Sequence, residues 1–411
     1  MSGDRITSGN QNVTLQRSRR RNGYLAFFIN GMLAVLTANL MNLFLTEYGY
    51  RYSDISFCLA LQSMGNLCMV ALSGWLITKV GQKRCQIMFC ILFIAGCLLI
   101  QRGDILFCVQ AGMLVTGIGW GLCNNIIHLS IRQSGKTTSS MNLLHMSYAL
   151  GSFAGPYLMA VFLEHGIHWD VLTMLLISAT IFLLVLFLTT SSPENKESLV
   201  QNLSEEPRPQ QNQSLRKEMV SHTFLICFFL YFCYVGIEGA VNTWLVTYLQ
   251  NESQFSLSFS QKMLSLFWVI IILVRLVNIR VLKICKLANL LILQGIGILV
   301  FMGLVIANLG STILVIAVIG LALCMGGISP CNALNAKKYM EGSGRLSGII
   351  FAGGGLGSVI LPIMIGTMAQ NYSLKTGMFS IFLIMLIFTV IAIWNRSCHV
   401  NAEEITRNNV R

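Results

Sequence analysis

The chain has 411 residues, of which 55% are hydrophobic and only 11% are Asp, Glu, Lys or Arg, and its mean hydropathy is +0.68. A soluble domain carries about 25% charged residues, so these totals exclude a soluble globular protein and indicate an all-α protein that crosses the lipid bilayer many times. The formal net charge of +12 would suit nucleic acid, but the basic residues are scattered through short loops between apolar runs rather than gathered on one patch, which excludes that partner.

Residues 1–22 are polar and end in Arg17, Arg19, Arg20 and Arg21. No short apolar core with a small-residue cleavage site follows, so they read as a cytoplasmic tail rather than a secretion signal. Twelve apolar spans come next, at about 23–46, 56–77, 85–101, 105–131, 141–164, 168–190, 222–249, 260–281, 287–307, 311–334, 345–369 and 374–395; each is about the 20 residues that a helix needs to cross a bilayer. The interruption 191–221 holds Pro193, Pro207 and Pro209 among Gln, Asn and Ser. It reads as a flexible cytoplasmic linker dividing the spans six and six, and residues 396–411 read as a second short tail. With the N-terminus inside, 23 of the 28 lysines and arginines fall in inside segments and four outside, with Arg275 left within a span. That bias is what the positive-inside rule requires of both cytoplasmic termini, and the expected setting is a bacterial plasma membrane. The thirteen cysteines lie within or beside apolar runs without a C-x-x-C. They act as small apolar side chains, and no disulfide framework, metal site or cofactor is expected.

An internal repeat accompanies the division. At an offset of 200 residues Phe28 falls on Phe228, Asn42 on Asn242, Leu45 on Leu245 and Tyr48 on Tyr248. Gly151 and Pro156 of span five are echoed by Gly357 and Pro362 of span eleven. Parallel six-helix repeats suit transporters whose halves rock about a site at the bilayer midplane.

Span seven carries Tyr234, Glu238 and Asn242, with Tyr231, on one helical face. Glu238 is the one charged residue between Phe224 and Leu249. A carboxylate in hydrocarbon costs several kcal/mol unless it meets a polar cavity, a partner or a proton. It is therefore a candidate proton-coupling residue, or a structural carboxylate bonded to a neighbouring helix. His145 is the second candidate proton carrier, because an unperturbed imidazole titrates near neutrality. Further polar-solute ligands are Asn39 and Asn42 in span one, Asn124 and Asn125 in span four, Asn142 in span five and Asn332, with Asn335 three residues on, in span ten; Trp120 and Trp268 offer ring faces for stacking. An asparagine supplies both donor and acceptor to a solute, or glues two helices together. His128 near the end of span four reads as structural. Arg275 lies toward the inner end of its span, where it gates the pathway or snorkels to the inner surface. The glycines and prolines Gly151, Gly155, Pro156, Gly355, Gly357 and Pro362 let spans five and eleven pack closely and bend.

Spans two and three are joined by Gly74-Trp-Leu-Ile-Thr78-Lys79-Val-Gly81-Gln-Lys83-Arg84. This stretch resembles the signature inner loop of the major facilitator superfamily, with Thr78 where an aspartate often stands. Gly119-Trp120-Gly121 and Asn124 of span four, the Asn142-Leu-Leu-His145 start of span five, Gly236-Ile-Glu238 with Thr243-Trp244 in span seven, and Phe267-Trp268 with Arg275 in span eight resemble its fucose permease-like, sugar-transporting branch. Val274 replaces a glycine expected before the arginine. The resemblance covers roughly 25–395. It implies the major facilitator fold of two pseudo-symmetric six-helix bundles, and a monomeric secondary transporter for a sugar or other small polar solute, often moved with protons. The branch's proton-carrying carboxylates belong to spans one and four, where this chain has asparagines, so Glu238 and His145 remain as carriers, and uncoupled facilitation fits equally. The Gly-x-x-x-Gly-Pro of span five also resembles a motif of drug–proton antiporters, which keeps efflux of a drug or metabolite as the alternative. A receptor that binds without transporting would call for a signalling domain, and an enzyme would call for a nucleophile, metal cluster or carboxylate pair within the spans.

Overall fold

A computed structural model describes residues 3–134, 137–190, 218–342 and 344–408. Among these residues the chain is almost entirely helical: α1 (Gly3–Glu47), α2 (Tyr52–Val80), α3 (Gln82–Ile100), α4 (Leu106–Arg132), α5 (Thr137–Glu164), α6 (Trp169–Thr189), α7 (His222–Asn251), α8 (Leu257–Val281), α9 (Leu287–Ala307), α10 (Ser311–Gly326), α11 (Ile328–Asn335), α12 (Lys337–Gly342), α13 (Gly344–Asn371) and α14 (Leu374–Asn408). Twelve stretches are long and apolar enough to cross a membrane, from Leu15–Glu47 to Leu374–Cys398. Their lipid-side character is plain in side chains such as Phe107, Phe182, Leu293 and Val300, which are large, apolar and exposed. Most of the expected linker, 191–217, lies outside the described residues.

The helices depart from the expected spans in three places. The first helix already begins at Gly3, so helical backbone runs through the stretch expected to be a tail, and α14 likewise continues to Asn408. The tenth span is in two pieces, α10 and α11, meeting at Gly327. Glycine weakens a helix interior by roughly 0.5–1 kcal/mol, and here Gly326 and Gly327 are adjacent. The amide of Gln294 from α9 also fills the place where a side chain at Gly327 would go, with its nitrogen 2.0 Å from an added Cβ. Asn278 of α8 donates to the Gly327 carbonyl at 3.4 Å.

The chain divides into two compact units, one of Met1–Tyr50 with Phe57–Ser204, the other of Arg51–Ser56 with Glu205–Arg411. In the first, α1 packs along α5, and α3 along α4. Backbones touch at the α1–α5 seam: a Cβ on Gly151 would stand 2.0 Å from the Phe28 carbonyl oxygen, and one on Gly31 2.0 Å from that of Tyr148. Such approach is possible only for glycine. In the second unit α7 packs along α13, and a Cβ on Gly357 would stand 2.1 Å from the Phe232 carbonyl oxygen. Pro156 and Pro362 lie inside α5 and α13, where each removes one backbone hydrogen bond.

The connection between α2 and α3 is a single residue, Gly81, at φ +94°. Its conformation, rather than close packing, demands glycine. Gly74 has no such reason, since an added Cβ there meets nothing within 4 Å. Lys83 reaches across to α6 and donates to the Leu188 carbonyl at 2.9 Å, a cation on the C-terminal end of a helix. Lys79 and Arg84 are exposed.

Candidate functional site

The second unit holds a continuous polar set between α7 and α8. Tyr234, Glu238 and Asn242 recur every four residues on α7, so their side chains stack along one face. The Tyr234 hydroxyl donates to Glu238 Oε1 at 3.0 Å, and Arg275 Nη2 donates to the same oxygen at 3.2 Å. One turn along, Trp268 Nε1 donates to Asn242 Oδ1 at 2.9 Å. Glu238 and Arg275 are 19% and 28% exposed, so water screens the pair only in part. Arg275 therefore does not snorkel away from the site, and the carboxylate has a built-in counter-ion. Tyr231 leaves the polar set: it is buried in an apolar cluster with Phe224, Cys227, Tyr339 and Leu346, and its ring meets that of Phe351 edge-on at 5.7 Å.

In the first unit, hydrogen-bonded amides and imidazoles join α1, α4 and α5. Asn30 of α1 donates to Asn124 Oδ1 at 3.0 Å. His128 Nδ1 lies 2.5 Å from the Asn124 carbonyl oxygen, where it donates. The His128 and His145 rings are 5.3 Å apart, and Phe27 packs edge-on against both. His145 is exposed and Trp120 is half-buried. Deeper in, Gln62 of α2 donates to Thr37 of α1 at 3.0 Å and to Thr116 of α4 at 3.2 Å. Asn30 and Gln62 were missed from sequence; each is an amide within an apolar span, the same signal that singled out Asn124.

Several expected ligands are occupied within the protein. Asn125 donates to Val70 O at 3.0 Å and to Ser73 Oγ at 2.5 Å, tying α4 to α2. Asn332 donates to Leu230 O at 3.3 Å, tying α11 to α7. Asn39 is buried and donates to Val35 O on its own helix at 2.7 Å. Asn42 is likewise buried in α1. Asn335 accepts from Asn395 at 2.9 Å. The side chain of Asn142 lies outside the described residues.

At the N-cap of α6, His168 stands between two carboxylates. Its Nε2 is 2.9 Å from Glu47 Oε1 and its Nδ1 is 2.9 Å from Asp170 Oδ1, while Trp169 Nε1 donates to Glu47 Oε2 at 2.9 Å. Only the imidazolium carries a proton on both nitrogens. Partial burial opposes that charge, but the hydrogen bonds and charges of Glu47 and Asp170 outweigh it and raise the pKa above the ordinary histidine value.

Comparison with known proteins agrees with this architecture. The sequence model of the Major Facilitator Superfamily matches residues 23–362. The sodium-dependent glucose transporter 1 of Xenopus laevis is 24% identical over 352 residues, covering 76% of this chain and 68% of that protein. Among solved structures, the nucleoside transporter NupG superposes with a TM-score of 0.72 at 11% identity, covering 93% of this chain and 98% of that one. A D-xylose–proton symporter superposes with a TM-score of 0.71 at 12% identity, covering 92% and 96%. At these identities the structural likeness concerns the fold.

Proposed function

The chain belongs to the Major Facilitator Superfamily, and on that premise we propose that it is a secondary transporter of a small, polar, sugar-like solute, working by rocker-switch alternating access of bundles 23–190 and 222–395. The linker 191–221 and the tails 1–22 and 396–411 lie in the cytoplasm in this reading, and the protein acts as a monomer in the plasma membrane. The observation that carries it is the α7–α8 polar set, in which one carboxylate oxygen accepts from both Tyr234 and Arg275 beside the Trp268–Asn242 pair. A solute hydroxyl donates to the second carboxylate oxygen, and the guanidinium supplies further donors. Drug efflux calls for a mainly aromatic and aliphatic pocket, so this set favours a polar cargo. The name of the frog relative supports a hexose as the first solute to test.

Coupling follows from the ion pair. A proton on Glu238 cancels the attraction that holds Arg275 and leaves the guanidinium to seek another acceptor, the solute included. Removing one member of a buried pair costs about 3–5 kcal/mol, ample to link cation occupancy to a shift of α8 on α7. Sodium binding at the same carboxylate would compete with Arg275 in the same way, and the relative's name favours testing it. His145, exposed beside His128, is the second proton carrier of this reading.

The test is uptake of labelled D-glucose and D-xylose into proteoliposomes under an imposed pH or sodium gradient, for the intact protein and Glu238→Gln. Uptake driven by either gradient and lost in the variant supports coupling at α7. Uptake that ignores both gradients makes the protein a facilitator. Failure of the intact protein to move either sugar removes the sugar reading.

A further inference from the structure

Gln261 of α8 is 0% exposed, and neither its Oε1 nor its Nε2 has a hydrogen-bond partner among the described residues. A buried amide left unsatisfied at both ends is rare, because each lost hydrogen bond leaves a desolvated polar group without compensation. Its position gives it a use. Gln261, Ser265, Trp268 and Arg275 follow one another on α8 at steps of four, three and seven residues, which places them along one side of the helix. Trp268 and Arg275 on that side bond Asn242 and Glu238 of α7. The residues that continue the Glu238–Asn242 face of α7 toward the α7–α8 connection are Leu245 and Leu249, both buried. Neither leucine carries a hydrogen-bonding side chain, whereas Asn242 and Glu238, further along the same face of α7, do.

We propose that Gln261 is a solute-recognition residue at the connection end of the α7–α8 polar set, its amide oxygen accepting from one hydroxyl and its amide nitrogen donating to the neighbouring hydroxyl of a polyol-like solute. An amide matches a vicinal diol because it offers one acceptor and one donor side by side. A desolvated site built to bond a hydroxyl rejects analogues that lack it, since the protein group is then left unpaired. The proposal rests on the reading of the chain as a transporter of sugar-like solutes.

The experiment uses full-length protein in proteoliposomes and compares wild type with Gln261→Met, which keeps the length of the side chain and removes both polar atoms. The probes are D-glucose and its series of single-deoxy analogues. The expected result is a KM for glucose raised about tenfold or more in Gln261→Met, with the maximal rate within about twofold. That penalty disappears for one particular deoxy analogue, the one lacking the bonded hydroxyl. If Gln261→Met does not reach the membrane in folded form, Gln261→Asn, whose amide sits on a shorter arm, is read with the same expectation. An unchanged KM across the series, whatever happens to thermal stability or maximal rate, overturns the proposal and assigns the amide to a buried water. If wild-type protein moves none of the sugars, the functional reading itself falls and this inference falls with it, an outcome distinct from an active wild type matched by its variant.

Discussion

Each unit contains a glycine seam of the same kind, and the two differ in charge. In the first, Gly151 of α5 lies against the Phe28 carbonyl of α1; in the second, Gly357 of α13 lies against the Phe232 carbonyl of α7. Matching these contacts aligns α1 with α7 at an offset of 204 residues. At that offset Tyr234, Glu238 and Asn242 correspond to Asn30, Ala34 and Ala38. The seam has to be kept in both halves because two backbones in contact leave no room for any side chain. The ionisable groups do not, and only the second unit places an acid and a base face to face at this helix position. A pseudo-symmetric frame can therefore hold an asymmetric arrangement of charge.

The largest loss should come from filling the seam. Gly151→Val and Gly357→Val each push carbon into a backbone carbonyl, and both should destabilise by about 3 kcal/mol or more, seen as loss of the monodisperse peak in size-exclusion chromatography. If one half tolerates the change, the seams are not equivalent. The ion pair comes next. Arg275→Ala leaves Glu238 uncompensated and should cost about 3–5 kcal/mol, while Glu238→Gln combined with Arg275→Gln should recover most of the thermal stability but not transport. The matching change in the first unit, Asn30→Ala, removes one neutral hydrogen bond and should cost only about 0.5–1.5 kcal/mol. The smallest effect concerns His168. Its folded-state pKa is raised, so its contribution is fully present below the ordinary histidine value of about 6.5 and is lost as pH rises through the folded value. His168→Gln should flatten that part of the stability-against-pH curve in thermal unfolding, by a small amount because the side chain is largely exposed.

The spans were legible because length and apolar content are additive along the chain. Glu238 was legible because a lone carboxylate in an apolar run has few explanations. Its partner was not: Arg275 is 37 residues away, and which way α8 turns is settled by packing that no local pattern records. The same limit applies to Asn125 and Asn332, whose donors were visible but whose acceptors are backbone carbonyls of other helices. The sequence repeat at offset 200 is four residues short of the alignment that the seam requires. A slip of four is about one helical turn, so it keeps every residue on its face and lets matches such as Asn42 with Asn242 survive on the wrong turn. The split of the tenth span had a visible signal in the Gly326–Gly327 pair, but glycines also occur in unbroken helices such as α13.

The single-residue connection at Gly81 has a mechanical consequence. One residue spans little more than about 7 Å between its neighbours, so the end of α2 that bears Lys79 and the start of α3 have almost no slack between them. Any swing of that end of α2 drags α3 along, and Lys83, bonded to the Leu188 carbonyl of α6, passes the pull onward. These three helix ends form a stiff linkage rather than three independent rods, able to turn the tilt of one helix into the displacement of another.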